Sequence, residues 1–223
     1  MKNLKYIITA MIFLSMGLSM NSQVISEEAK RKVTVGFDIF TDIWQGKPID
    51  MDIRTINQGF NVFLMYNFQI NEGNSSFSVG LSIDNHNLYS NTRIENIKAD
   101  TIVFKPIDQV YQRSKINLTY ISVPLEFNVR TNTGFKFGAG FKIRWLPSSK
   151  DKYIGDIDGL ENGRRMVKRK DLANTEKWAY GFTLRAGYKS FNLFGYYQIS
   201  NIFERGKGPE LYPISVGITL TPF

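Results

Sequence analysis

Histidine occurs once in the chain, within Asp84-Asn85-His86-Asn87. Residues two apart on a strand share a face, so Asp84 and His86 have the geometry for acid–base work. A lone histidine near a strand end is more commonly a solvated or capped side chain, and we assign no catalytic residue. Zinc chemistry lacks its ligands, because there is no second histidine and no cysteine. Neither a phosphate loop nor a Gly-x-Ser-x-Gly elbow is present. The expectation is a protein that is not an enzyme and needs no cofactor or metal.

A second chemical feature is the basic run Arg164-Arg165-Met166-Val167-Lys168-Arg169-Lys170. Five cations in seven residues can contact phosphates, so Arg164, Arg165, Lys168, Arg169 and Lys170 form a candidate anion-contacting loop. The competing reading is a solvated loop, nearly neutralised by Asp151, Asp156, Asp158, Glu161 and Asp171. The net charge of +8 invites a nucleic-acid partner, but an exported chain does not meet one. Lipopolysaccharide phosphates or an acidic protein surface are the anions available to it.

Export is read from the first segment. Lys2 and Lys5 precede an uncharged apolar run from Tyr6 to Met20, followed by polar Asn21-Ser22-Gln23. That is the layout of a secretory signal peptide, expected over residues 1–22, with the mature domain over 23–223. An uncleaved anchor would want ~20 apolar residues. Beyond residue 22 no apolar run approaches a spanning helix, and mean hydropathy is −0.22. A chain that remains in the membrane without helices must form a closed barrel.

The recurring period after Val33 is two, which is the strand period. Phe60, Val62, Leu64, Tyr66, Phe68 and Ile70 alternate with polar or small residues, and so do Phe135, Phe137, Ala139, Phe141, Ile143 and Trp145. Eight such strands are expected, the seventh (Phe191 to Ile202) looser because Phe194 and Tyr196 fall on its nominally polar face. In the fourth, Ile116 to Arg130, apolar parity switches at Tyr120-Ile121, which reads as a β-bulge with Pro124 just beyond it. Connections alternate between tight turns (around 71–74, 131–134 and 189–190) and long loops (around 89–115 and 147–175). This is the layout of an all-β, eight-stranded antiparallel up-and-down transmembrane β-barrel. Phe223 supplies a terminal aromatic of the kind used in barrel assembly.

Orientation decides between a membrane barrel and a secreted carrier. The polar face holds Gly138, Gly140, Gly181, Gly187 and Gly217, small residues suited to a bore that side chains just fill. The other face carries Phe, Tyr and Leu, with Trp145, Trp178, Tyr188, Tyr66 and Tyr212 near strand ends as aromatic girdles. Bulky residues therefore face lipid. The lumen receives Glu126, Lys136, Lys142, Arg144, Arg185, Asp38 and Asp84. Buried charges must pair, so a plugging ladder is expected, with Glu126 as central acceptor for Lys142, Arg144 or Arg185. Its rival is a narrow solute channel.

The stretch Lys115-Ile116-Asn117-Leu118-Thr119-Tyr120-Ile121-Ser122-Val123-Pro124-Leu125-Glu126-Phe127 resembles a strand of the PorT-like outer-membrane β-barrel proteins of the Bacteroidetes. Gly134 to Lys142 looks like the glycine–aromatic strand that follows it there. The resemblance implies a Gram-negative outer-membrane barrel, and one branch of that family serves type IX secretion and gliding. The resulting expectation is a structural or interaction protein of the cell outer membrane. Its partners would be outer-membrane lipid, lipopolysaccharide, and other envelope or secretion proteins, with no nucleic acid among them.

Overall fold

The computed structural model describes residues 31–70, 74–156 and 165–221. The expected leader over 1–22, Arg164, Asp158, Glu161 and Phe223 lie outside the described residues. The strands are β1 (Val33–Gln45), β2 (Gln58–Ile70), β3 (Ser75–Tyr89), β4 (Thr92–Ile94), β5 (Phe104–Pro106) and β6 (Tyr111–Arg130). They continue with β7 (Phe135–Gly155), β8 (Arg165–Lys170), β9 (Trp178–Tyr188), β10 (Phe191–Gln198) and β11 (Tyr212–Leu220).

Eight of them close a barrel in the order β1-β2-β3-β6-β7-β9-β10-β11, every pair antiparallel, with β11 returning to β1. Along the barrel strands exposed apolar residues alternate with buried ones, many of them small or polar, the pattern of a sheet with lipid on one side. Leu64, Leu81, Phe182, Leu184, Phe191 and Leu193 stand outward, all more than half exposed. The bulky face therefore meets lipid. β9 runs from the exposed Trp178 to the exposed Tyr188, a length of ~10 residues that suits a tilted transmembrane strand. Trp145 pairs with Trp178 at the long-loop end, while Phe135 and Tyr188 meet at 5.2 Å at the short-turn end.

The expected bulge in the fourth strand is corrected. From Ile116 to Glu126, β6 keeps an unbroken period of two: Ile116, Leu118 and Tyr120 point inward along with Ser122 and Glu126, and Ile121 and Val123 point outward. A register shift does occur there, but the extra residue sits on β7. Ile121 pairs with Trp145 and Thr119 with Ser148, so Leu146 and Pro147 together oppose Tyr120. Pro147 has no N–H to give to the ladder, which is where a bulge tolerates proline.

The parity change in β6 has a different cause. The upper interior is apolar, so its inward residues are greasy too. Trp44, Met51, Leu88, Ile94, Ile102, Leu118, Leu146, Leu172, Ile202 and Leu211 form one buried cluster at the long-loop end. The long loops fold back over the barrel mouth. Ala173 N–H donates to Ile97 O at 2.8 Å, Ile102 N–H to Lys207 O at 2.8 Å, and Asn174 to Ala99 O at 2.8 Å. Beyond the mouth, β6 and β7 continue and recruit β8, so that the run 165–170 is a strand of a projecting three-stranded arm and not a loop.

Candidate functional site

The interior below the apolar cap is filled by side chains from every barrel strand, held in two ionic groups. In the lower group Arg185 of β9 is central. Its Nη2 donates to Asp38 Oδ2 at 2.8 Å, its Nη1 pairs with Glu126 Oε1, and its Nε donates to Thr219 Oγ1 at 3.1 Å. Asp38 also accepts from Thr219 Oγ1 and from Asn61 Nδ2, each at 2.6 Å. The rings of Phe63 and Phe194 lie 4.7 and 5.0 Å from the guanidinium, which explains the inward Phe194 on the looser seventh strand. A cation between aromatic faces gains attraction that survives desolvation.

The upper group centres on Asp84 of β3. Lys142 Nζ lies 3.2 Å and Arg144 Nε 3.3 Å from its carboxylate, and Ser122 Oγ donates to it as well. Arg144 Nη1 donates to Gln198 Oε1 at 3.0 Å and its guanidinium packs 4.0 Å from Tyr120 and 4.8 Å from Tyr196. Beside this group, His86 is buried, not solvated. Its Nδ1 lies 2.9 Å from Asp42 Oδ2, and Ser215 Oγ donates to Asp42 at 2.6 Å. A carboxylate only accepts, so His86 Nδ1 carries the shared hydrogen. The His86 ring stands 5.0 Å from Phe40 and 5.9 Å from Tyr120.

Close packing depends on the lumen glycines. A Cβ on Gly140 would lie 2.6 Å from Glu126 Cγ, and one on Gly181 would lie 2.8 Å from the Tyr196 hydroxyl. Both are closer than real contacts allow, so the large side chains fill the room that these glycines leave.

The expected acceptor assignment is corrected in detail. Of the three expected cations Glu126 pairs with Arg185, whereas Lys142 and Arg144 go to Asp84. Lys136 stays at the short-turn rim and makes no ion pair among the described residues. There it lines a cavity of about 260 Å³ with Arg31, Asn67, Asn128, Glu126 and Arg185. Asp42 and Ser122 were not anticipated from sequence. The inward parity of Asp38 and Phe40, carried two residues further, would have found Asp42. Among the described residues no group of three or more His, Asp or Glu is arranged to hold a metal ion.

The candidate anion-contacting residues separate. Arg169 turns to the inner face of the arm, where it pairs with Asp151 Oδ2 at 2.7 Å and donates to the carbonyls of Ile94 and Glu95. Burial lifts the Asp151 carboxyl above its usual range, and Arg169 opposes that shift. Lys168 and Lys170 occupy the opposite face of β8, and Arg165 is exposed at its start.

Residues 15–204 match the family model described as outer membrane protein beta-barrel domain. The chain belongs to that family. The outer membrane is accordingly where this family member resides, and the outward apolar band and its aromatic girdles are the surface it presents to lipid. No curated protein matches the chain in sequence. Among solved structures, the chain is similar to Ail, the attachment invasion locus protein of Yersinia pestis, in complex with the heparin analogue sucrose octasulfate. That likeness has 14% identity, 85% of this chain and 95% of Ail covered, and a TM-score of 0.38. Similarity also extends to a double mutant of Rh. blastica porin, at 9% identity, with 85% of this chain and 99% of the porin covered, and a TM-score of 0.23.

Proposed function

We propose that this outer-membrane barrel is a non-conducting scaffold that holds a β-arm and a packed loop cap at the cell surface for interaction with envelope components. The observation that carries the reading is the filling of the bore at two successive levels. The ionic groups around Arg185 and Asp84 occupy the lower and middle lumen, and the apolar cap covers the mouth above them. Water and ions passing this interior would have to break buried pairs and then cross a greasy layer, and each step is costly. Reconstitution in planar bilayers tests it: a flat current trace is expected, and steady unitary openings would replace the scaffold with a small-solute channel.

The reading is non-enzymatic. His86 is the obvious proton-transfer group, and it is supported as a structural residue by its burial between Phe40 and Tyr120 and its pairing with Asp42. Assay of the purified protein against lipid A and peptide substrates is expected to give no turnover that His86→Ala abolishes.

A second reading, accessory subunit of a type IX-like secretion machine, is favoured by the PorT-like stretch from Lys115 to Phe127. That stretch contributes both Tyr120 under the cap and Glu126 in the lower ionic group. Affinity purification from native outer membrane separates the two readings, since secretion components co-purify in stoichiometric amounts only under the second.

A further inference from the structure

The arm above the barrel mouth carries cations in a cross-strand grid. Lys115 of β6 pairs with Lys152 of β7, which pairs with Lys168 of β8. The next row on the same face is Asn117, Lys150 and Lys170, and Arg113 sits at the corner beside Ile154. Like charges directly opposite one another destabilise a sheet, yet lysine faces lysine once between β6 and β7 and twice between β7 and β8. Asp151, the acid between Lys150 and Lys152, is turned away: it lies on the inner face with Arg169. Lys150, Lys152, Lys168 and Lys170 make no ion pair among the described residues. Burial, and then Lys115, Lys168, Lys150 and Arg113, push the Lys152 ammonium below its ordinary value, so the neighbours are close enough to repel.

The side on which this grid lies is set by the extra residue at Leu146–Pro147. Below it, Phe141, Ile143 and Trp145 of β7 face lipid, and above it Lys150 and Lys152 take over that outward side while Asp151 and Tyr153 turn in. On β6, Arg113, Lys115 and Asn117 share the parity of the lipid-facing Ile121 and Val123. The lysine face is thus the upward continuation of the membrane-facing wall. Lys150 and Lys152 follow Trp145 by five and seven residues, roughly 12–18 Å above the girdle for a tilted strand. At that height and on that side the neighbours are the headgroups and inner sugars of the outer leaflet.

We infer that the outward face formed by Arg113, Lys115, Lys150, Lys152, Lys168 and Lys170 binds the phosphate groups of a glycolipid in the surrounding outer leaflet. Charge complementarity and continuity with the lipid-facing wall select this occupant over a soluble polyanion, which would meet a face pointing sideways into the membrane's sugar layer. The inference rests on the scaffold reading and names what its arm engages. Anchoring the arm in this way would also offset the repulsion among these lysines.

The test uses the full barrel in neutral detergent and rough lipopolysaccharide with a phosphorylated inner core. The same material after chemical dephosphorylation and a soluble dextran sulfate serve as the other ligands. The wild type is expected to bind the phosphorylated form about tenfold or more tightly than the quadruple variant Lys150→Gln, Lys152→Gln, Lys168→Gln, Lys170→Gln, with affinity falling steeply as salt rises. The paired control Lys105→Gln, Lys207→Gln, at cations already bridged to Glu95 and Glu204, should bind as wild type does. Heat-dependent loss of compact gel mobility monitors folding. Losing like charges should leave the variant at least as stable as wild type in detergent alone, so weak binding cannot be ascribed to misfolding. Equal binding by variant and wild type, or equal binding of dephosphorylated lipid, would overturn the inference. Tighter binding of dextran sulfate than of lipopolysaccharide would overturn it too, in favour of a soluble polyanion. The variant leaves the lumen untouched, so conductance, which tests the scaffold, fails or stands separately.

Discussion

Along β6 the inward positions pass from Glu126 and Ser122 in the lower barrel to Tyr120, Leu118 and Ile116 in the upper. The same strand face thus lines an ionic lumen and then an apolar cap. In the lower region the outside is hydrocarbon, and the bore receives the charges, which are retained by pairing. In the upper region the outside is aqueous, so the interior reverts to the greasy core of a soluble domain. Tyr120 marks the change of solvent, with its ring against Arg144 on one side and the cap on the other. The sign of an alternating pattern is therefore set by what surrounds the strand at that height.

Asp84 is where the two regions can be told apart most directly. Asp84→Ala leaves Lys142 and Arg144 buried beside no carboxylate, and a loss of about 4 kcal/mol is expected in urea unfolding of the detergent-folded barrel. A loss under ~1 kcal/mol would mean that water already reaches these cations and that the two regions do not differ in kind. Replacing Asp84, Lys142 and Arg144 together with aliphatic residues of similar volume should cost far less than Asp84→Ala, because no charge is stranded.

In the cap, Leu118→Ala opens a cavity and is expected to cost about 3 kcal/mol, while conductance stays silent because the ionic groups below are intact. Openings in this variant would show that the cap alone seals the bore. At the boundary, Asp42→Asn keeps the volume but weakens the link to His86, for about 1–2 kcal/mol by the same unfolding assay.

The smallest effect belongs to the arm. Lys152 has a folded-state value below its unfolded 10.5, so the unfolded chain binds the extra proton. Stability from this group is therefore lost at lower pH and recovers as pH rises from the lowered value towards 10.5. Lys168→Gln should flatten that rise, read as the pH dependence of arm protection in hydrogen exchange. An unchanged slope would place the lysines further apart than the pairing indicates.

Much of this architecture is legible in the sequence. The eight alternating runs, the outward bulky face and the lumen glycines each follow from local pattern, and Arg185 with Glu126 is among the pairs that pattern suggests. Some features escape it. The switch at Tyr120 looks like an inserted residue as long as one solvent is taken to surround the whole strand. The actual insertion, at Leu146–Pro147, leaves no parity break that stands apart from the loop after it. The basic run looks neutralised because Asp151 is near it in sequence, though the strand period gives Asp151 to Arg169 on the inner face and sends Lys168 and Lys170 to the other.

The strand count, the exposed apolar band and the stock of charges destined for the interior were determined by sequence alone, since period and residue type report on the nearest solvent. Which acid meets which cation, how the loops close the mouth and which way the lysines of the arm point were decided by tertiary structure. These depend on register across strands far apart in the chain and on a single unpaired residue in β7, and neither leaves a signature in local order.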